Sequence, residues 1–257
     1  MGRCVLKTTG IHKNFGGVVA VKDFSFEIGE GQIIAIIGPN GAGKTTIFNL
    51  ISKIYATDRG SIEFDGVDIT KKSQIEVARM GVSRTFQNAR LFTGLNVIDN
   101  VKVAIDFNGK YNLIEAMLLL PRRWKMEKET TRRAMECLKL LNLDQYATQH
   151  SSNLPYGIQR RVEIARALVS NPKVLMLDEP AAGLNPEEVF QLMDFLREIK
   201  AKYPKIAILI IEHRMDLVMN MSEYIYVQDF GETIAQGAPC EIQNNPLVLK
   251  AYLGEEE

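Results

Sequence analysis

Short apolar runs separated by turn residues dominate the first third of the chain. Residues 24–28 alternate apolar and polar side chains with a period of two, which is typical of a half-buried strand. Residues 29–31 then predict a turn into Ile33–Ile37, an unbroken apolar run of strand length. Residues 61–64, followed by an Asp-Gly pair, predict another strand and a hairpin turn. This part therefore predicts a small antiparallel sheet beside a buried parallel strand.

The last third alternates strands and helices. Residues 174–177 and 206–211 are continuous apolar runs, as expected for strands that are covered on both faces. Between them, Pro186–Lys202 has helical spacing, and Asn185 is its expected N-cap. The pattern predicts an α/β fold with a mixed or parallel core sheet.

Helical periodicity dominates the middle of the chain, from about residue 96 to 147. Apolar residues recur there at i, i+3, i+4 and i+7, as at Ala134, Cys137, Leu138 and Leu141. A helical block between two β-rich parts predicts an inserted helical subdomain. We place it at 89–161, and the α/β core at 1–88 and 162–257. The basic segment around Trp124 favours a solvated surface over a contact with a partner or membrane.

Composition excludes several classes of protein. With 257 residues and 46% hydrophobic side chains, the chain can bury a full core. Its 31 Lys+Arg balance its 31 Asp+Glu, so we expect no nucleic-acid partner. The longest apolar runs are too short to span a bilayer, and residues 1–10 lack an apolar signal core. The three cysteines and three histidines are too scattered for a metal site, so a metal must arrive with a ligand.

The strongest chemical signal directly follows Ile33–Ile37. It matches the full phosphate-loop pattern G-x-x-x-x-G-K-[ST], and the candidate binding residues are Gly38, Pro39, Asn40, Gly41, Ala42, Gly43, Lys44, Thr45 and Thr46. The glycines let successive backbone N–H groups face an anion at the start of a helix. We expect Lys44 to reach the β and γ phosphates and Thr45 to bind Mg²⁺.

Two further apolar strands also end in polar residues, and ligands gather at the carboxyl ends of parallel strands. One strand ends at Asp178, placed to hold Mg²⁺ through water, and Glu179 after it is placed to polarise an attacking water. The other leads to His213, which is expected to contact the terminal phosphate and order that water. The sequence thus predicts Glu179 and His213 as catalytic residues.

In this order, these residues resemble the ATP-binding subunit of an ABC transporter, over nearly the whole chain. The resemblance implies a P-loop NTPase fold that binds ATP and Mg²⁺. It places an adenine-stacking aromatic at Phe15. At Gln87 it places a third catalytic residue, the glutamine that contacts Mg²⁺ and couples the site to membrane subunits. The signature loop falls at 154–159, where Gly157 and Gln159 are the candidate contacts to ATP.

Within that family the chain looks most like the ATP-binding subunits of branched-chain amino-acid importers. This finer resemblance is carried by the signature, by the insert around Trp124 and by residues 181–186 and 242–254. It implies that closure of an ATP-bound dimer, followed by hydrolysis, drives import. The implied partners are integral membrane permease subunits, an identical or sister ATPase subunit and, indirectly, a substrate-binding protein. The implied location is peripheral, on the cytoplasmic face of the cell membrane.

The signature loop departs from the usual Leu-Ser-Gly-Gly-Gln, because Pro155 replaces the serine and Tyr156 the first glycine. Each hydrogen bond lost at a charged acceptor costs about 1.5–3 kcal/mol. Ile158 also stands where a polar side chain is expected. The following helix keeps an apolar face, and its polar residues are expected to point outward, namely Gln159, Arg160, Glu163 and Arg166. We expect a working variant with weaker dimer closure.

Three alternatives stay open. The first is an ATPase subunit of an exporter or of a lipid or polysaccharide transporter. The second is a nucleotide-gated interaction protein with weak hydrolysis, which only the variant signature favours and which Glu179 and His213 oppose. The third is an ABC ATPase of DNA repair or translation, which the lack of a long coiled coil, a second nucleotide domain and a basic groove opposes.

Overall fold

The computed structural model describes residues 3–86, 91–105 and 121–253. In chain order these contain β1 (Cys4–Phe15), β2 (Val18–Gly29), β3 (Ile33–Ile37), α1 (Lys44–Ile51), β4 (Arg59–Phe64), β5 (Val67–Asp68), α2 (Gln74–Met80), β6 (Val82–Arg84), α3 (Val97–Lys102), α4 (Pro121–Leu140), α5 (Tyr156–Leu168), β7 (Val174–Asp178), α6 (Pro186–Lys202), β8 (Ala207–Ile211), α7 (Met215–Met221), β9 (Tyr224–Asp229), β10 (Glu232–Gly237), α8 (Pro239–Gln243) and α9 (Pro246–Leu253). Two short 3₁₀ turns lie at Asp144–Tyr146 and Ser151–Asn153.

The described residues form two compact units. One combines the residues before 87 with those from 172 onward, and the other consists of those between 88 and 171. The boundary that we placed at 161 from the sequence falls inside α5, and this helix lies whole in the second unit.

The predicted antiparallel sheet is confirmed, with strand order β2-β1-β4-β5. Thr8 of β1 pairs with Phe26 on one side and with Ile62 on the other. The β4–β5 hairpin turns through Asp65 (φ 53°) and Gly66 (φ 79°), the left-handed pair that the Asp-Gly sequence predicts.

The core sheet is mixed, with strand order β10-β9-β3-β8-β7-β6. β3 lies parallel to β8 and β9, β7 lies parallel to β8 and β6, and only β10 runs antiparallel at its edge. Every residue of β3, β7 and β8 is buried, which explains why these strands are unbroken apolar runs. Their carboxyl ends lie at the same edge of the sheet.

Alternate residues of β3 serve two different cores. Ile34 and Ile36 pack in the larger core, which also includes side chains of α1 and of the antiparallel sheet. Ala35 and Ile37 pack on the other side, in a core with Val218 of α7 and apolar residues of α8 and α9. The strand is therefore covered on both faces, as its sequence predicts.

The second unit is helical in its described part. α3 contacts both α4 and α5. The four predicted apolar positions, three in α4 and Leu141 directly after it, are all buried. The Cys137 thiol of α4 donates to Ala165 O of α5 at 3.6 Å. Throughout 3–86, 91–105 and 121–253, none of the helices combines the length and the apolarity that a membrane span requires.

One expectation about α5 is wrong: Arg160 and Glu163 do not point outward. Both are 2% exposed, and Arg160 Nη1 donates to Glu163 Oε2 at 3.1 Å. The Arg160 guanidinium also lies over the Tyr156 ring, 5.3 Å from its centre. Periodicity assigns charged residues to the surface, but opposite charges one helical turn apart can be buried when they satisfy each other.

The three cysteine thiols differ in burial, so they should react with a thiol reagent at very different rates. Burial raises the pKa of Cys137 to about 12, so this thiol stays protonated and shielded at neutral pH, whereas Cys4 and Cys240 are exposed. We expect a thiol reagent to label two cysteines of the folded protein and the third only after unfolding in urea. A Cys137→Ser variant should lose only the label that is added after unfolding. Rapid labelling of all three thiols in the folded wild type would contradict the packing of α4 on α5.

Candidate active site

The phosphate loop follows β3 directly, and two of its glycines are required by close backbone packing. A Cβ on Gly38 (φ 148°) would lie 2.0 Å from Gln228 O, and one on Gly43 (φ 95°) would lie 2.1 Å from Ala20 O. These backbone atoms belong to paired strands and have no room to move. The loop therefore lies tightly against β9 and β2, with a backbone path that no other residue fits at these two positions.

α1 begins at Lys44 with its positive end toward the loop. Its N-cap, Gly43, offers no side-chain acceptor, and the first turn holds no acidic residue. The first N–H groups of a helix have no partner within that helix, so a phosphate fits where a cap would otherwise bind.

The Lys44 side chain folds back across the phosphate loop. Its ammonium donates to Gly38 O at 2.7 Å and Pro39 O at 2.8 Å, and the residue is only 6% exposed. Burial lowers the pKa of Lys44, while the carboxylates of Glu179 and Asp178 act in the opposite direction. A phosphate bound in the loop would favour the charged form further. The predicted role of Lys44 in binding phosphate fits this position.

Asp178 ends β7 at the same edge of the sheet. Its carboxylate is buried and accepts a 2.6 Å hydrogen bond from Arg84 Nη2. Its backbone N–H donates to Thr85 Oγ1 at 3.4 Å. Carboxylate and hydroxyl oxygens are the ligands that Mg²⁺ prefers, so Asp178 together with the exposed Thr45 suits this ion.

Glu179 and His213 approach each other from adjacent strands. Glu179 has a left-handed backbone (φ 46°), uncommon outside glycine, and its N–H donates to Ile211 O at 2.9 Å. His213 Nδ1 lies 4.0 Å from Glu179 Oε2. The His213 side chain is 51% exposed, whereas that of Glu179 is 15% exposed. The two predicted catalytic residues are thus brought together at one edge.

Glu212, which was not predicted as a site residue, bonds the backbone of both segments that carry this pair. Its buried carboxylate accepts from the N–H groups of Ala181 (2.7 Å), His213 (3.0 Å) and Arg214 (3.2 Å). Burial raises the pKa of Glu212, and the three backbone donors oppose that rise. One side chain therefore joins the segment after Glu179 to the segment that carries His213.

Phe15, the predicted adenine contact, lies at the exposed end of β1 and is 43% exposed. Tyr55 packs against it edge-to-face with 5.2 Å between ring centres, and Lys13 Nζ lies 5.5 Å from the ring centre. A half-exposed ring supported at its edge is suited to stacking on a base.

The signature residues belong to the second unit. α5 begins at Tyr156, and its N-cap, Pro155, provides no side-chain acceptor. Gln159 Nε2 donates to Leu154 O at 2.9 Å, which ties the loop to the first turn of the helix. Gly157 has ordinary helical geometry within this turn. Gln87, the remaining predicted site residue, lies outside the described residues.

A cavity of about 580 Å³ lies beside the phosphate loop on its β9 side. It is lined by Pro39, Asn40, Gly41, Ala42, Asp229, Phe230, Ile234, Leu247, Lys250 and Ala251. Leu247, Lys250 and Ala251 of α9 line it together with residues of the phosphate loop. The last helix thus packs close to the loop, which the sequence did not indicate.

Arg84 and Glu212 are the residues of this site that sequence reasoning missed. Arg84 lies three residues before Gln87, and Glu212 immediately precedes His213. A charged residue directly after a buried apolar strand was the available signal for Glu212. The partners of both side chains come from distant parts of the chain, so their roles are visible only in the fold.

A phosphate loop, an acidic strand end and a histidine at the shared edge of parallel strands define a nucleotide-binding P-loop protein. Comparison with known proteins makes the class more specific. Residues 21–182 match the family described as ABC transporter, and residues 232–257 match that described as branched-chain amino acid ATP-binding cassette transporter.

Characterised relatives match over nearly the whole chain. The high-affinity branched-chain amino acid transport ATP-binding protein LivG of Salmonella typhimurium is 44% identical, over 99% of this chain and all of the relative. The corresponding protein BraF of Pseudomonas aeruginosa is 40% identical over the same shares.

Solved structures agree with this fold. A nucleotide-free ATP-binding cassette from an ABC transporter superimposes with a TM-score of 0.85 at 34% identity, covering 98% of this chain and all of the other. An ATP-binding cassette in its ADP conformation gives a TM-score of 0.83 at 33% identity, covering 98% of this chain and 99% of the other. The chain belongs to the ABC transporter family, as one of its ATP-binding cassettes.

Replacing Gly38 with alanine should disable the loop without unfolding the protein. The new Cβ would meet Gln228 O, so the loop must shift away from the geometry that binds phosphate. A displacement of this kind costs about 1–3 kcal/mol, so ATP affinity should fall roughly tenfold or more. Equilibrium binding of a fluorescent ATP analogue measures the change. Gly94→Ala is the matched control, because nothing lies within 4 Å of its added Cβ; equal affinities in both variants would refute the packing argument.

Proposed function

We propose that this chain is the ATP-hydrolysing subunit of an importer of branched-chain amino acids. The observation that carries the proposal is the placement of Glu179 and His213, 4.0 Å apart, at the sheet edge that also carries the phosphate loop. The names of its relatives, which are branched-chain amino acid transport ATP-binding proteins, indicate the cargo.

ATP binding is the task of the loop and α1. The backbone conformation at the loop glycines lets N–H groups point at the phosphates, and Lys44 supplies a positive charge against the negative charge of the phosphates. Phe15 stacks on the adenine, and the phosphates then lie at the N-terminal end of α1. Thr45 and Asp178 would hold Mg²⁺, and the ion would supply positive charge to the phosphate oxygens.

Hydrolysis is the task of Glu179 and His213. The Glu179 carboxylate accepts a hydrogen bond from the attacking water and aims it at the terminal phosphate. His213 contacts that phosphate from the neighbouring strand and keeps the water in line. Glu212 maintains their relative position through its three backbone hydrogen bonds.

Closure of two cassettes completes the site. We infer that Gly157 and Gln159 of one cassette contact the ATP held by the other, and that Gln87 couples the site to permease subunits. A second cassette, identical or a sister, and a substrate-binding protein complete the proposed transporter. ATP favours the closed state because it binds that state more tightly, and hydrolysis reopens it. The working location is the cytoplasmic face of the membrane.

A Glu179→Gln variant should bind ATP but turn it over at least about a hundredfold more slowly. The amide removes the acceptor for the water proton, and general-base catalysis contributes roughly 10²–10⁴-fold. Phosphate release measures turnover, and a fluorescent analogue measures binding.

Glu187→Gln is the control, since Glu187 is an exposed glutamate at the start of α6. It should retain wild-type turnover. Equal, very low turnover in the wild type and Glu179→Gln would favour the alternative of a nucleotide-gated interaction protein.

A Pro155→Ser variant should close more tightly on ATP. Serine restores a hydroxyl and an N–H toward the partner's phosphate, worth about 1.5–3 kcal/mol for each hydrogen bond to a charged acceptor. ATP-dependent dimerisation should therefore strengthen at least about tenfold, as measured by light scattering over a range of protein concentrations.

Pro155→Ala separates the two groups, because it restores the N–H without the hydroxyl. An intermediate effect is expected for alanine. Serine at the N-cap also stabilises α5 itself, by about 1 kcal/mol, so thermal unfolding is measured alongside. A Pro155→Ser variant with higher melting temperature but unchanged dimerisation would sink the idea of a lost phosphate contact.

A further inference from the structure

Arg84 donates to three side chains of the site, on two elements, although it belongs to none of the recognised motifs. At the end of β6, its Nη2 donates to Asp178 Oδ2 at 2.6 Å. Its Nη1 donates to Asn49 Oδ1 at 2.7 Å and to Ser52 Oγ at 3.0 Å. Asn49 lies in α1 and Ser52 is its C-cap, so one guanidinium joins β6, the acidic end of β7 and the helix that follows the phosphate loop.

This guanidinium is buried and held from several sides. The Arg84 side chain is 8% exposed and that of Asp178 is 4% exposed. The rings of Phe48 and Phe86 lie 5.5 and 5.4 Å from the guanidinium carbon, so aromatic faces flank it. Charges attract more strongly away from water, and the hydrogen bonds to α1 prevent the guanidinium from following Asp178 if the carboxylate turns.

The shape of arginine is essential to this arrangement. A planar guanidinium presents donors in a fixed fork, so it can bond α1 and Asp178 simultaneously in different directions. A lysine ammonium is a single point at the end of a flexible chain. It can pair with Asp178 or reach α1, but it does not maintain both contacts at these distances.

We propose that Arg84 is a positioning residue for the magnesium–nucleotide site. It fixes Asp178 by one carboxylate oxygen, and thereby the orientation in which that carboxylate meets Mg²⁺. It also fixes the spacing between Asp178 and α1, which carries Lys44 and Thr45. The inference rests on the proposed ATPase function, because only a metal–nucleotide complex makes this orientation matter.

The decisive variant is Arg84→Lys, made in the full chain. Affinity for a fluorescent ATP analogue is measured in EDTA and then at increasing MgCl₂ concentrations. We expect the affinity in EDTA to stay within twofold of wild type, because the loop, Lys44 and the start of α1 are unchanged. The Mg²⁺ concentration that gives half of the metal-dependent change should rise at least fivefold.

Asn49→Ala provides a second, milder variant. It retains Arg84 and Asp178 but removes one of the two hydrogen bonds that anchor the guanidinium to α1. The same shift in Mg²⁺ dependence is expected, with a smaller size. Thermal unfolding reports whether each variant folds, and Asn49→Ala carries the test alone if Arg84→Lys does not fold.

Arg197→Lys is the matched control. Arg197 forms an exposed pair with Asp194 one turn away in α6, at 2.8 Å, so the same substitution there should leave the Mg²⁺ dependence unchanged.

Two results would overturn the inference. One is a wild-type Mg²⁺ dependence in both site variants. The other is an equal loss of affinity with and without Mg²⁺, since this would show that Arg84 merely supports the phosphate loop. A wild-type protein that binds no nucleotide under either condition would instead overturn the proposed function, so the two failures are distinguishable.

Discussion

The parallel pairing of β3 with β8 and β9 is the constraint on which the site depends. Ile36 is in register with Ile211, and Ile37 with Val227. Because parallel strands end at the same edge, this register places the phosphate loop beside the segments that follow β7 and β8. The strands can form this way only because both faces of the sheet are covered, one by the larger core and one by α7, α8 and α9.

Buried charge is the second organising feature. Lys44, Asp178 and Glu212 are all removed from water at the edge of the sheet, and each of them has specific hydrogen-bond partners there. A buried ion without partners is strongly unfavourable, so these contacts are conditions for folding as well as for function. The same low exposure strengthens the electrostatic interactions on which binding and cleavage of a phosphate depend.

Local patterns predicted the strands and helices whose signal lies within a few residues. β3 and α6 were predicted with the bounds that they have, because an unbroken apolar run and an Asn-Pro helix start are local features. β1 was not identified, since its 12 residues mix polar and apolar side chains without a clean period, and its register with β2 shifts along the pair. Arg160 and Glu163 were assigned to the surface because the periodicity of apolar residues does not indicate which charged side chains pair with each other in a core.

The sequence by itself determined the class of chemistry, which is the binding and hydrolysis of a nucleotide. The turn of the phosphate loop needs glycine, metal binding needs a carboxylate or hydroxyl oxygen, and proton transfer needs a titratable side chain. A chain that has all three in this order fits few other functions. The tertiary structure decided how Glu179 and His213 meet, and which side chains hold Asp178 and the catalytic pair in place. Arg84 and Asn49 are 35 residues apart, and Arg84 and Asp178 are 94 residues apart. Contacts at such separations follow from sheet order and register, which no short stretch of sequence contains.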